Sequence, residues 1–189
     1  MKKGKLIAIS APSGTGKTTI IRQVLKSFPE IIFSVSATTR AKREYEVEGK
    51  HYYFISEEEF KKKIENNEFI EWEKFYDYYY GTYKSIVENV INQGKSIILE
   101  IDVNGALNLK KIYLEAVLIY IVPPSIEELA RRLKIRNTEG KTDLQKRIER
   151  ATMELSLKDK FDYLVENIDL EKALKKTKLL IEKITKKEI

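Results

Sequence analysis

Gly14-Thr15-Gly16-Lys17-Thr18 is the segment whose residue types speak most directly of chemistry. Its glycines let the backbone curl until successive N–H groups point into one concavity. A helix starting there adds partial positive charge where an anion would sit. Lys17 would reach the β- and γ-phosphates of a nucleotide, and Thr18 would offer its hydroxyl to Mg²⁺. The expected contact set runs through Ala11, Pro12, Ser13, Gly14, Thr15, Gly16, Lys17, Thr18 and Thr19. The strict form of the pattern opens on glycine, and Ala11 stands in that place. A glycine-rich turn that merely precedes Lys-Thr is the competing reading, and the flanks argue against it. Lys5 to Ser10 (KLIAIS) is apolar and β-compatible, while Ile20, Ile21, Val24, Leu25 and Phe28 recur at helical spacing. A loop between strand and helix is the setting that phosphate binding requires.

The elements that must carry this loop follow from the remaining pattern. Ser96 to Ile101 (SIILEI) and Ala116 to Val122 (AVLIYIV) read as strands buried on both faces, as in a parallel sheet covered by helices. Ile126 to Leu133 and Leu144 to Leu157 read as helices. The last segment places Ala173, Leu174, Thr177, Leu180, Ile181 and Ile184 on one helical stripe. This alternation predicts a P-loop-type α/β fold, a parallel sheet with helices on both faces. Val35 to about Ser85 differs: it is rich in Tyr, Phe and charge, with short alternating stretches such as His51 to Ile55. It predicts a small, mostly antiparallel insert. The expected division is a core of 1–34, 86–125 and 154–189, an inserted subdomain of 35–85 and a helical lid of 126–153.

Composition narrows the class. With 189 residues and 42% hydrophobic side chains, the chain can bury one α/β core with small additions. There is no cysteine, which excludes disulfides and thiolate metal sites. No apolar run approaches the length of a bilayer span and no signal-peptide pattern is seen, so a soluble, cytoplasmic protein is expected. The excess of 35 Lys plus Arg over 29 Asp plus Glu, a net +6, suits an anionic ligand. His51, the only histidine, cannot build a multi-histidine metal site and reads as a surface or packing residue. Tyr76, Tyr78, Tyr79 and Tyr80 could stack nucleic-acid bases, but packing within the insert is the better account for three of them. The Lys-rich last segment lacks aromatic anchors for a membrane, so docking on the core is expected. Neither nucleic acid nor membrane is an expected partner, and oligomeric state is not legible.

Beyond the loop, Phe33-Ser-Val-Ser-Ala-Thr-Thr-Arg40, Arg43 and Gly49-Lys-His-Tyr-Tyr-Phe54 resemble the guanylate kinase family. Asn67-Glu-Phe-Ile-Glu-Trp72, Tyr79-Tyr-Gly-Thr82, Leu99-Glu-Ile-Asp-Val-Asn-Gly105, Pro123-Pro-Ser125, Arg131-Arg-Leu133 and Val165-Glu-Asn167 extend the likeness over nearly the whole chain. The resemblance implies transfer of the γ-phosphoryl group of ATP to GMP, and to dGMP, with Mg²⁺. It implies that Arg40, Arg43, Tyr52 and Tyr80 hold the GMP phosphate, with Arg40 and Lys17 among the catalytic residues. Ser36, Glu71 and Thr82 would read guanine, because a carboxylate accepts from its N1–H and exocyclic amine whereas adenine lacks that donor pair. Asp102 and Glu100 would lie near the acceptor and metal, Glu100 where the family often has Asp. Arg132, Arg136 and Arg147 would neutralise charge on the moving phosphoryl group, the first two also touching ATP. Asn167 resembles an adenine-side contact, although an asparagine there also suits a cap or turn. Lys42, Tyr45, Asn104 and Asn137 depart from the usual pattern. Two rivals stay in view: a kinase for another nucleoside monophosphate, which Ser36, Glu71 and Thr82 oppose, and a scaffold module, which the intact loop opposes.

Overall fold

The computed structural model describes residues 3–75, 77–135 and 141–186. Arg136, Asn137 and Tyr76, all singled out above, lie outside them. In chain order the elements begin with β1 (Leu6–Ser10), α1 (Lys17–Ser27) and β2 (Ile32–Phe33). They continue with β3 (Ala37–Thr38), β4 (Tyr53–Phe54), α2 (Glu57–Glu65), β5 (Phe69–Phe75) and β6 (Tyr78–Tyr83). The rest is α3 (Lys84–Asn92), β7 (Ile97–Glu100), α4 (Val103–Ile112), β8 (Val117–Val122), α5 (Ile126–Ile135), α6 (Lys141–Leu155), β9 (Tyr163–Glu166) and α7 (Leu170–Thr185).

Every residue of β1 is buried, because the strand lies at the centre of a parallel sheet ordered β2-β7-β1-β8-β9. Successive side chains alternate between two apolar faces. Leu6, Ala8, Leu99, Leu118 and Tyr120 pack under Val87 and Ile91 of α3 and Ala106 and Leu109 of α4. Ile7, Ile9, Ile98, Ile119 and Ile121 pack under Ile20, Ile21 and Val24 of α1 and Ala173 and Ile181 of α7. Both faces of the strands are therefore apolar, which is why these strands read as continuous hydrophobic runs. The stripe expected in the last segment is the docked face of α7, with Ala173, Thr177, Ile181 and Ile184 buried. Among the described residues no helix is long and apolar enough to cross a membrane.

The second sheet is ordered β4-β3-β6-β5. β6 pairs antiparallel with both β3 and β5, while β3 and β4 run parallel, so the inserted sheet is mostly antiparallel. The alternating stretch from His51 to Ile55 contributes only the two residues of β4. His51 serves a loop instead, its Nδ1 accepting from the Val47 N–H at 2.9 Å. A small core of Ala37, Phe60 and Phe69 holds the insert together, with Phe60 and Phe69 stacked at 4.4 Å. Tyr79 packs there, whereas Tyr78 is exposed, which corrects the expectation that it serves packing. Strand β5 has an irregularity between Phe69 and Glu71, after which Glu71 stands opposite Thr82. Such a bulge re-aims the side chains that follow it.

Candidate functional site

The C-terminal ends of β1 and β7 adjoin at the sheet centre, where a doubly wound fold opens a crevice. From β1 the chain enters the loop at Ala11. The Thr15 hydroxyl and N–H both donate to the Pro12 carbonyl, at 2.7 and 3.2 Å, and close a turn. Gly14 and Gly16 take φ of 88° and 92°, where a side chain is strained. Gly16 caps α1 and, lacking a side chain, makes no capping bond, so the first N–H groups of the helix remain directed at the crevice. A Cβ at Gly16 would also meet the Asn167 amide at 2.8 Å. Lys17 Nζ donates to the Ile101 carbonyl at 3.1 Å and lies 3.9 Å from Glu100. The Thr18 hydroxyl donates to Glu100 Oε1 at 2.6 Å.

Facing the loop across a cavity of about 390 Å³ are Glu71 and Tyr80 of the second sheet, with Ser36 and Tyr52 from the residues just before β3 and β4. Thr82 is fully buried and donates to Glu71 Oε1 at 2.6 Å, which fixes the carboxylate's direction. The other oxygen, Oε2, approaches α4 so closely that a Cβ at Gly105 would lie 2.6 Å from it. Desolvation pushes the Glu71 carboxyl up to about 7, helped by the nearby Asp102 charge and opposed by the bond from Thr82. Asp102 caps α4, accepting from the Gly105 N–H at 2.8 Å. Burial pushes the Tyr52 phenol up to about 12, so it remains a proton donor at neutral pH. Its ring meets that of Tyr80 edge-on at 5.9 Å.

The arginines fall into separate groups. Arg147 of α6 lines the cavity with the loop, Glu71, Glu100 and Asp102. Arg40 and Arg43 lie on the turn after β3 and do not line it. Arg40 donates to Glu46 at 2.6 Å and to the Ala41 carbonyl at 2.7 Å, with its guanidinium 5.6 Å from the Tyr52 ring centre. Glu46 is buried and also accepts from the Arg43 N–H at 2.8 Å. The bond from Arg40 is the main reason its carboxyl is held below the usual range. Arg43 donates to the Tyr45 hydroxyl at 2.9 Å. Arg132, on α5, donates to Glu128 at 2.8 Å and to the Asn167 carbonyl at 3.4 Å. Asn167 is buried behind the loop, its amide donating to the Thr15 carbonyl at 2.6 Å.

Glu73, Phe75, Arg150 and Glu154 also line the cavity, and none of them was singled out from the sequence. Period two along β5 from Glu71 would have found Glu73 and Phe75, and helical spacing from Arg147 would have found Arg150 and Glu154. Glu46 had no comparable signal, since its role depends on how one loop folds back on Arg40.

The family described as guanylate kinase matches residues 3–184. A guanylate kinase of Thermotoga maritima is 50% identical over 172 residues, 91% of this chain and 83% of that protein. One from Caldanaerobacter subterraneus subsp. tengcongensis is 46% identical over 180 residues, 95% of this chain and 87% of that protein. The crystal structure of guanylate kinase from Anaplasma phagocytophilum matches with a TM-score of 0.81 at 31% identity, over 99% of this chain and 89% of that one. With the family matched from end to end of the sheet and the loop, this chain belongs to the guanylate kinases.

Proposed function

We propose that the chain transfers the γ-phosphoryl group of ATP to GMP, and to dGMP, giving ADP and GDP. One observation carries the reading: the phosphate loop and Glu71, whose carboxylate Thr82 orients from behind, line a single cavity, so donor phosphates and acceptor base can share one space. The loop from Ala11 to Thr19 holds the donor phosphates with its N–H groups and with Lys17. Ser36, Glu71 and Thr82 read guanine, Thr82 by orienting the carboxylate. Tyr52, Tyr80, Arg40 and Arg43 hold the acceptor phosphate, and Glu46 directs Arg40. Arg132, Arg136 and Arg147 neutralise charge spread over the transferring group. Asn167 supports the donor side through the Thr15 carbonyl.

Among the described residues no three acidic or histidine side chains are gathered to hold a metal alone. Mg²⁺ commonly takes one or two protein oxygens and completes its shell with substrate phosphates and water. The Thr18 hydroxyl and Glu100 carboxylate, 2.6 Å apart beside the loop, fit that need, with Asp102 nearby. Held there, such an ion would supply neutralisation of the donor's phosphate charge. No general base is required, because the second pKa of a phosphate monoester is about 6 and the attacking oxygen is largely ionised at neutral pH. The residues contribute in-line positioning and electrostatic stabilisation. We place this activity in the cytoplasm and in purine nucleotide metabolism, with neither nucleic acid nor membrane as partner.

A coupled assay with ATP and Mg²⁺ against GMP, dGMP, AMP, CMP and UMP tests the reading. GMP and dGMP should be the efficient acceptors. Equal turnover of AMP or a pyrimidine nucleotide would overturn the assignment of the base.

A further inference from the structure

Beyond the residues that the reaction employs, α6 and β5 share a sheltered charged contact. Along β5, Glu71, Glu73 and Phe75 face the cavity, and Trp72 and Lys74 between them are exposed. On α6, Arg147, Arg150, Ala151 and Glu154 share one face at helical spacing and line the same cavity. Arg150 Nη2 donates to Glu73 Oε1 at 2.8 Å, and its Nε donates to Glu154 Oε1 at 2.7 Å. The guanidinium carbon lies 4.5 Å from the centre of the Phe75 ring. One planar fork is therefore held by its own helix on one side and grips the opposing strand with charge and ring contact on the other.

The Arg150 and Glu73 side chains keep 26% and 21% of their surface, so the pair is screened less than an exposed one. Glu73 Oε2 has no donor among the described residues and faces the Asp102 carboxyl. Burial and that acidic neighbour raise the pKa of Glu73, and Arg150 opposes the shift. Glu71, Asp102 and Glu154 add carboxyl groups around the contact, while Lys17 and Arg147 are cations lining the same cavity. If α6 left β5, Glu73 would lose its cation and keep Asp102. The two arrangements thus differ in interaction free energy, which is what a two-state contact requires.

We propose that Arg150 and Glu73 are positioning residues for phosphoryl transfer. They form a latch between α6 and the acceptor-side sheet that sets Arg147, one helical turn earlier, against the phosphate loop. Glu73 stands two residues from Glu71 on the same face of one strand, so the latch joins the segment that reads the base to the helix that brings the arginine. The inference rests on the phosphotransferase reading above.

The test is a double-mutant cycle on kcat/KM for GMP with Glu73→Ala, Arg150→Met and the pair combined, alongside melting temperature and KM for ATP. Each single change should lower kcat/KM for GMP by about tenfold, and the double should be no worse than the worse single, since partners in one contact are non-additive. KM for ATP should stay within about twofold, because the donor phosphates bind the loop. Glu73→Gln keeps an acceptor oxygen for Arg150 and should fall between wild type and Glu73→Ala. Losses that multiply in the double, or a lowered melting temperature with unchanged kcat/KM, would overturn the latch. Arg150→Met leaves Glu154 buried without its cation; if it does not fold, the Glu73 series decides alone, and wild-type efficiency in Glu73→Ala rejects the proposal. Wild-type turnover of GMP is the control for the reaction itself: its absence overturns the activity and the latch together, whereas normal wild-type turnover with unaffected variants overturns only the latch.

Discussion

On the proposed reading, Glu71 distinguishes guanine from adenine as a carboxylate, because the guanine N1–H and amine are donors whereas adenine N1 is an acceptor. Polar pairing of this kind discriminates by roughly 10⁴ or more, far beyond what shape alone achieves. Desolvation pushes the carboxyl up to about 7, so protonation would compete with base binding near neutrality. The folded pKa is raised; the binding-competent anion is therefore lost as pH falls through about 7. We expect kcat/KM for GMP to decline on that acid side. Glu71→Gln should remove this limb, keep the substrate phosphate's own step at about 6, and lower the GMP-to-AMP ratio. Rate profiles for both acceptors check it, and an unchanged ratio would show that the base is read elsewhere. Gly105 offers an independent probe. A methyl group there would lie 2.6 Å from Glu71 Oε2, inside any permitted contact. The carboxylate must then move from the direction that Thr82 sets. Gly105→Ala should reduce kcat/KM for GMP about tenfold or more while leaving stability unchanged or higher, since alanine is favoured over glycine inside a helix by about 0.5–1 kcal/mol. A thermal melt with the acceptor assay separates the two effects.

The strand-loop-helix unit around Lys17 was legible in sequence because everything that defines it is local: an apolar strand, glycines for positive φ and a helical stripe. The central strands were legible for the same reason, being apolar on both faces. Strands β2 and β9 went unread. Two residues, or four at a sheet edge, give no periodicity to count, and their pairing is set by neighbours far away in the chain. The irregularity in β5 had no signal either, although it places Glu71 opposite Thr82. Asn167 shows the same limit at the level of an element's end. The residue alone is compatible with a cap, a turn or a base contact. Only the fold reveals that β9 delivers it behind the loop, to the Thr15 carbonyl and beside Gly16. Asn167→Ala should leave that buried carbonyl without its donor, at a cost of about 1–3 kcal/mol. The expected result is a lower melting temperature and a several-fold higher KM for ATP, with KM for GMP little changed. Steady-state kinetics with each substrate varied would test it, and an unaltered KM for ATP would remove Asn167 from the donor side.

Across the whole molecule, the cationic groups assigned to one reaction stand on separate segments: Lys17 on the core loop, Arg40 and Arg43 on the turn after β3, Arg132 on α5 and Arg147 on α6. Of these, Lys17 and Arg147 line the cavity, whereas Arg40, Arg43 and Arg132 are directed by Glu46, Tyr45 and Glu128. Like charges brought together without an anion between them repel, and the net +6 of the chain adds to that cost. Two nucleotides carry phosphate charge that can draw these cations from their present partners Glu46, Tyr45 and Glu128, so binding both should favour an arrangement with the segments drawn inward. We therefore expect the acceptor sheet and the α5–α6 pair to close over the core when GMP and a non-hydrolysable ATP analogue are both present. Either ligand alone neutralises only part of the cluster, so it should produce a smaller change. Small-angle scattering on the ligand-free protein, each binary complex and the ternary complex would show a stepwise fall in radius of gyration, with calorimetry establishing occupancy. Because the driving force is electrostatic, added salt should weaken the compaction at fixed occupancy. A radius of gyration unchanged in the fully occupied ternary complex would mean that the arginines reach the phosphates by side-chain rearrangement alone.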